Sequence, residues 1–187
     1  MKLYHASPAA GLTVLQPSVS MYFAEKPKQV CLTKLRAMAL LYGIKHFEYT
    51  YGYAKDGRIF YEEYFPNALE ELYRGKQASL YVCSWTDGME TTNIPNEVVS
   101  KTPVPVEEEI SIPDVLQALL EENNAGRLTV VRWDELSRRT RDWVDRVQME
   151  EILGADLLNQ DSPRARYMQE KYPISWAMAL KEWEASP

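Results

Sequence analysis

The spacing of the apolar residues changes in character near Asp134, and this change constrains the fold more than any other feature. Before that point, short stretches alternate between apolar and polar residues as strands do, broken by proline and glycine. After it, apolar residues recur at helical spacing. The sequence therefore predicts an α+β fold with a body over residues 1–133 and a helical C-terminal appendage over residues 134–187 packed on it.

The body begins with a stretch, Lys2–Ser7, that alternates like a strand and places His5 on the same face as Leu3 and Ser7. The pattern predicts further strands at residues 29–33, 78–85, 96–100 and 106–112, and helices at residues 34–42, 67–74 and 113–122. An Asp-Gly pair at residues 56–57 predicts a β-hairpin. Residues 86–95 predict a loop, and the glutamates at 107–109 predict a solvated sheet edge.

Composition narrows the classes of function. The formal net charge of −6 argues against nucleic acid and anionic membranes as partners, because phosphate contacts need clustered Lys and Arg. No apolar run approaches the roughly 20 residues that span a bilayer, and no signal-peptide pattern follows Met1. We therefore expect a cytoplasmic protein. Two cysteines and two histidines lack zinc-site spacing, so we expect no metal.

Three residues of the body have side chains suited to a site, and each also has a structural interpretation. His5 lies beside small residues, where a flat ligand can approach the backbone, or it is a half-buried histidine bonded to a neighbour. Tyr42 ends a predicted helix and is either a wall for a ligand or part of the core. Glu97 lies at the start of a predicted strand, and it is either a functional carboxylate or an exposed acid with no role in a site.

Short motifs containing these residues follow one another along residues 1–112. They are Leu-Tyr-His-Ala-Ser at 3–7, Val-Cys-Leu-Thr at 30–33 with Ala-Leu-Leu-Tyr at 39–42, and Asn-Glu-Val-Val-Ser at 96–100. In order, spacing and strand context they resemble the ADP-ribosyltransferase fold of the diphtheria-toxin and poly(ADP-ribose) polymerase type. That family has a histidine–tyrosine–glutamate triad on a split antiparallel β-sheet.

The resemblance implies a fold, a reaction and roles for residues. It implies a split antiparallel sheet and a transferase that moves ADP-ribose from NAD, its substrate, to an unknown protein, nucleic-acid or small-molecule acceptor, with release of nicotinamide. Glu97 would be the catalytic carboxylate. His5 would hold a ribose hydroxyl on the adenosine side, the motif residues Ala6 and Ser7 would border the nicotinamide, and Tyr42 would stack on it.

Two departures from the family pattern leave alternatives open. Ala6 replaces a glycine whose backbone holds the nicotinamide amide. Cys31 replaces the triad tyrosine, and Tyr22 takes its place only under a different alignment of the loop. A catalytically silent member of the fold that binds NAD, ADP-ribose or a protein is therefore the alternative. An unrelated α+β interaction protein that docks through Trp176 and Trp183 is a third reading. A 2′-phosphotransferase acting on RNA shares the fold but is disfavoured by the acidic charge.

Overall fold

The computed structural model describes residues 1–19, 27–44, 51–54 and 57–185, which divide into two compact units. The first unit contains Met1–Tyr61 and Leu69–Val130, and the second contains Glu62–Ala68 and Val131–Pro187. The sequence analysis placed the boundary between body and appendage after residue 133. In the structure the boundary between the two units falls after Val130, and the short segment Glu62–Ala68 belongs to the second unit.

The first unit is built on a six-stranded sheet in the order β10-β6-β1-β3-β8-β7. Its strands are β1 (Lys2–Ser7), β3 (Val30–Thr33), β6 (Ala78–Ser84), β7 (Met89–Thr91), β8 (Glu97–Ser100) and β10 (Glu108–Ile112). All of its pairings are antiparallel. Smaller sheets contain β2 (Val14–Leu15) with β9 (Val104–Pro105), and β4 (Tyr51–Tyr53), β5 (Ile59–Glu62) and β11 (Leu128–Val131).

The large sheet consists of two halves that join at one residue pair. β1 pairs with β6 along all six of its residues, and β3 pairs with β8 along all four. Between β1 and β3 the register contains the single pair Tyr4 opposite Thr33, and both strands lie within the described residues. No further residue pair joins these two described strands; we call this gap in the pairing, between His5–Ser7 and residues 30–32, the split.

Helices cover one face of the sheet. They are α1 (Arg36–Leu41), α2 (Ala68–Tyr73) and α3 (Val115–Asn124). Ala6, Leu80 and Ile112 point from the sheet into a buried cluster with residues of α1 and α3, and we call this side the helix face. Leu3, Leu32 and Val98 point to the opposite face, where Leu15 and Val104 complete a second buried cluster. Because successive side chains of a strand point to opposite faces of the sheet, the strands contribute residues to two separate hydrophobic cores.

Local signals predicted the elements better than their ends. α3 begins at Val115, two residues after the predicted start, and the Asp114 carboxylate caps it by accepting the N–H of Gln117 at 3.2 Å. α1 begins at Arg36, two residues later than predicted, because the Thr33 hydroxyl accepts the N–H of Leu35 at 3.1 Å and caps no helix. The predicted loop at 86–95 was wrong in part, since it contains edge strand β7.

The second unit is mainly helical, with α4 (Arg138–Gly154), α5 (Pro163–Lys171) and α6 (Pro173–Ala185). Ser137, whose hydroxyl accepts the N–H of Thr140, caps α4. The buried Glu63 accepts from Arg132 Nη1 at 3.1 Å and from the Trp133 N–H at 3.0 Å. Within the described ranges, every helix is too short or too polar to cross a membrane. The structure confirms an α+β chain with an antiparallel sheet and C-terminal helices.

Candidate active site at the split in the sheet

Register places the motif strands side by side. β3 lies between β1 and β8, so Tyr4, Thr33 and Glu97 form one row across three strands. Side chains in such a row share a face, and Tyr4 packs on the helix-face cluster. Glu97 therefore lies on the helix face, whereas His5, one residue on from Tyr4, points to the opposite face.

His5 bridges the split with its ring. Its Nδ1 lies 2.9 Å from the backbone oxygen of Cys31 on β3. A carbonyl oxygen only accepts, so the proton is on Nδ1 and the lone pair of Nε2 is left to accept. Burial lowers the pKa of His5 below its ordinary 6.5, opposed by the hydrogen bond to Cys31. The ring is therefore neutral at pH 7 and presents Nε2 as an acceptor.

Behind His5, a polar network holds the loop that follows β1. The Tyr81 ring centroid lies 6.5 Å from that of His5, and its hydroxyl donates to Ala9 O at 2.6 Å. Glu109 accepts the N–H of Gly11 at 3.0 Å. Hydrogen bonds from Ser79, then Gly11 and Tyr81, lower the pKa of Glu109. Residues 107–109 are exposed at edge strand β10, as the sequence predicted, and Glu109 in addition fixes a loop next to the split.

Glu97 is half-buried and held at one oxygen. The Thr92 hydroxyl donates to its Oε2 at 2.6 Å, and within the described part of the chain Oε1 has no hydrogen-bond partner. Asn96, which precedes it, has a φ of +63°, a left-handed conformation that asparagine tolerates better than most residues. The Asn96 oxygen accepts the N–H of Lys34, so the start of β8 is tied to the end of β3.

The first strand meets the end of α1 at Ala6. Tyr42 is the half-buried C-cap of α1 and packs on the helix-face cluster. A Cβ placed on Gly43 would lie 3.4 Å from the Ala6 Cβ, so the chain just after Tyr42 runs against β1. The Ser7 hydroxyl accepts the N–H of Ala9 at 3.1 Å and closes the strand. Ala6 therefore lies next to Gly43, the residue after Tyr42, and Ala6 belongs to the helix-face cluster on which Tyr42 packs.

The other two residues predicted for the site are Cys31 and Tyr22. Cys31 is exposed, and its Sγ lies 3.6 Å from Gln29 Nε2. Alternation with Thr33 places Cys31 on the helix face, while its carbonyl meets the ring of His5. Tyr22 lies outside the described residues. The structure thus brings His5, Ala6 and Cys31 to the split, with Glu97 one strand beyond and Tyr42 at the end of α1.

Sequence reasoning missed two residues that shape the surroundings of Glu97. Thr92, from the segment predicted as a loop, holds the carboxylate. Tyr53, on β4, places its hydroxyl 2.6 Å from Pro95 O and 3.0 Å from Met38 Sδ. The abundance of tyrosines between residues 42 and 81 was a signal for Tyr53, but their number alone does not single one out.

The described residues contain no group of three or more His, Cys, Asp or Glu side chains that could hold a metal ion. The chain was compared with known proteins in three ways. No protein-family model matches it, no curated protein matches it, and no solved structure matches it. The case for a function therefore depends on the geometry of this chain.

Proposed function

We propose that the first unit is an ADP-ribosyltransferase-type domain that cleaves NAD and transfers ADP-ribose to an acceptor, releasing nicotinamide. The observation that supports it is the split, bridged by His5 between β1 and β3, with Glu97 on the strand beyond. The motifs carrying His5, Cys31 and Glu97 are far apart in sequence yet occupy three adjacent strands. A split antiparallel sheet is the fold that these motifs imply.

A ligand at the split meets groups from both faces of the sheet. His5 and Glu97 point to opposite faces, and an unbroken sheet would keep them apart. Beyond the pair Tyr4–Thr33, no further residue pair joins the described strands β1 and β3, so strand pairing does not close this stretch of the sheet. We infer that NAD, with a ribose on each side of its pyrophosphate, contacts both residues there.

Glu97 would act on the ribose attached to nicotinamide. Cleavage breaks the bond between the ribose C1′ and the nicotinamide nitrogen, and the electron pair leaves with nicotinamide. The positive charge that develops on the ribose resembles that in glycoside cleavage. A fixed carboxylate stabilises this charge, and Oε1 of Glu97 is available while Thr92 holds Oε2. The acceptor then bonds to C1′ and loses its proton.

His5 would bind rather than react. A ribose hydroxyl donates one hydrogen bond, and the neutral ring of His5 offers Nε2 to accept it. The Cys31 carbonyl fixes the orientation of the ring, so little conformational freedom is lost on binding. Tyr42, at the end of α1, would supply a flat wall for the nicotinamide.

A catalytically silent domain that binds NAD or ADP-ribose is the second candidate. Cys31 favours it, because an exposed thiol stands where the family pattern has an aromatic ring for the nicotinamide. Losing one stacking face weakens binding by about 1 kcal/mol. Release of nicotinamide from NAD separates the two candidates, since the silent domain binds the dinucleotide without cleaving it.

The first experiment is a calorimetric titration of NAD into the wild-type protein, His5→Ala and Lys2→Ala. Lys2→Ala is the matched control, because Lys2 is an exposed residue on the same strand. We expect His5→Ala to weaken NAD binding about tenfold, the scale of losing a well-oriented hydrogen bond and the bridge that fixes it. Lys2→Ala should bind as the wild type does.

Thermal unfolding of all three proteins shows that each is folded. Folded wild-type protein that does not bind NAD would contradict the proposal and favour a fold kept for another partner. Equal NAD affinity in His5→Ala and the wild type would remove His5 from the site.

A further inference from the structure

The first unit contains a groove on the side of α1 and α3. Its volume is about 610 Å³, within the range of roughly 300–1,000 Å³ that small-molecule sites occupy. Residues from β1, α1, β5 and the C-terminal end of α3 line it. Those used below are Lys34, Arg36, Arg58, Glu122 and Arg127, and we call this site the basic groove.

The lining of the basic groove has the opposite charge to the chain as a whole. Four cationic side chains, Lys34, Arg36, Arg58 and Arg127, line it together with one carboxylate, Glu122. The chain has a net charge of −6. Glu122 compensates part of this positive charge, and a concave site strengthens the field of like charges gathered in it.

Glu122 orients two of these cations. It is fully buried and accepts from Arg127 Nε at 2.7 Å and from Arg127 Nη2 at 2.9 Å. Arg36 Nη1 pairs with the same carboxylate. Burial raises the pKa of Glu122, but the hydrogen bonds and charges of Arg127 and Arg36 outweigh it, and the net shift is downward. Glu122 is therefore an ionised anchor.

The anchored guanidiniums keep donors for a ligand. A guanidinium has five N–H donors, and Glu122 engages two heavy atoms of Arg127 and one of Arg36. Both side chains remain partly exposed, at 60% for Arg127 and 29% for Arg36. A guanidinium presents a planar fork of donors that binds the oxygens of phosphate in pairs.

We propose that the basic groove binds the phosphate groups of a nucleotide-sized ligand. Tyr4 lines the groove and precedes His5, and the N–H of Lys34 donates to Asn96, which precedes Glu97. The groove thus adjoins the strands of the split. Its phosphate comes from the pyrophosphate of NAD or from a separate phosphorylated ligand, and binding there does not require that NAD be cleaved.

Inorganic pyrophosphate is the probe, titrated calorimetrically at low salt into the wild type, Lys34→Glu and Lys101→Glu. Lys34 is exposed, so its reversal should not disturb the core. Lys101 is a matched control, since its exposed amine lies 3.8 Å from Glu90 at the far end of the sheet and lines no part of the groove. We expect Lys34→Glu to weaken pyrophosphate binding at least about tenfold and Lys101→Glu to leave it within about twofold.

A second titration, of NAD in saturating pyrophosphate, identifies the source of the phosphate. Competition assigns the groove to the pyrophosphate of NAD, and simultaneous binding assigns it to another phosphorylated ligand; both support the groove. Pyrophosphate binding without any NAD binding would also support the groove while contradicting the proposed transferase. Folded wild-type protein that does not bind pyrophosphate, or equal losses in both variants, would overturn the inference.

Discussion

The split and the basic groove lie in the same unit but are built from different interactions. The split arises from backbone pairing, because β1 and β3 share one residue pair and a neutral ring spans the opening. The basic groove arises from long charged side chains that one buried carboxylate, Glu122, holds in place. The first region depends on strand register, and the second depends on a single ionised anchor.

Because the two regions are built from different interactions, they should respond to different changes in solution conditions. Neutral hydrogen bonds such as that of His5 respond to pH, because protonation changes which atoms donate. Clustered cations respond to salt and to charge reversal, because their effect is electrostatic. Substitutions in the two regions should therefore act on different measurements, and the following predictions are arranged from the largest expected effect to the smallest.

Glu122→Ala should disable the groove while leaving the split intact. It removes a buried carboxylate and leaves a cavity and two guanidiniums without their partner, so we expect the free energy of unfolding to fall by about 3 kcal/mol. Urea denaturation measures this loss. Glu121→Ala, at an exposed neighbouring position of α3, is the control and should change stability little. A loss below about 1 kcal/mol for Glu122→Ala would show that the anchor is not needed.

Glu97→Gln should disable the split while leaving the groove intact. The amide keeps an acceptor for Thr92 but loses the charge, so we expect nicotinamide release from NAD to slow by about 10²-fold. Stability and pyrophosphate binding should stay at wild-type values. Chromatography of nicotinamide gives the rate, and Glu90→Gln, at an exposed position of edge strand β7, is the control. A variant that is less stable but turns over NAD normally would remove Glu97 from the mechanism.

Lowering the pH from 7.5 towards 5 should weaken NAD binding more in the wild type than in His5→Ala. Burial lowers the pKa of His5 below 6.5, so its contribution to binding and stability is complete above pH 6.5 and is lost as the pH falls through the folded-state pKa. Glu109 stays ionised in this range, because its pKa is lowered from 4.5. Identical pH dependence in both proteins would show that His5 does not titrate at the site.

The sequence predicted much of the local structure. Alternation identified β1 and β6, and the residue pattern identified β8 and, to within two residues of its start, α3, because strand and helix periodicity depend on residues that are close in sequence. The order of the motifs also singled out His5 and Glu97. The ends of the helices were predicted less accurately where a side-chain hydrogen bond competed with helical hydrogen bonding. At Thr33 the hydroxyl accepts the N–H of Leu35, and α1 begins only at Arg36.

Only the tertiary structure decided how these pieces meet. β1 pairs fully with β6, and β3 pairs fully with β8, but β1 and β3 share only one residue pair. This pairing leaves the split that the ring of His5 bridges. That Glu122 of α3 anchors Arg36 of α1 follows from the packing of two helices on one face. Such contacts join residues far apart in the chain, and burial and strand pairing select them. The sequence alone therefore determined which side chains the protein has for chemistry, and the fold determined which of them share a site.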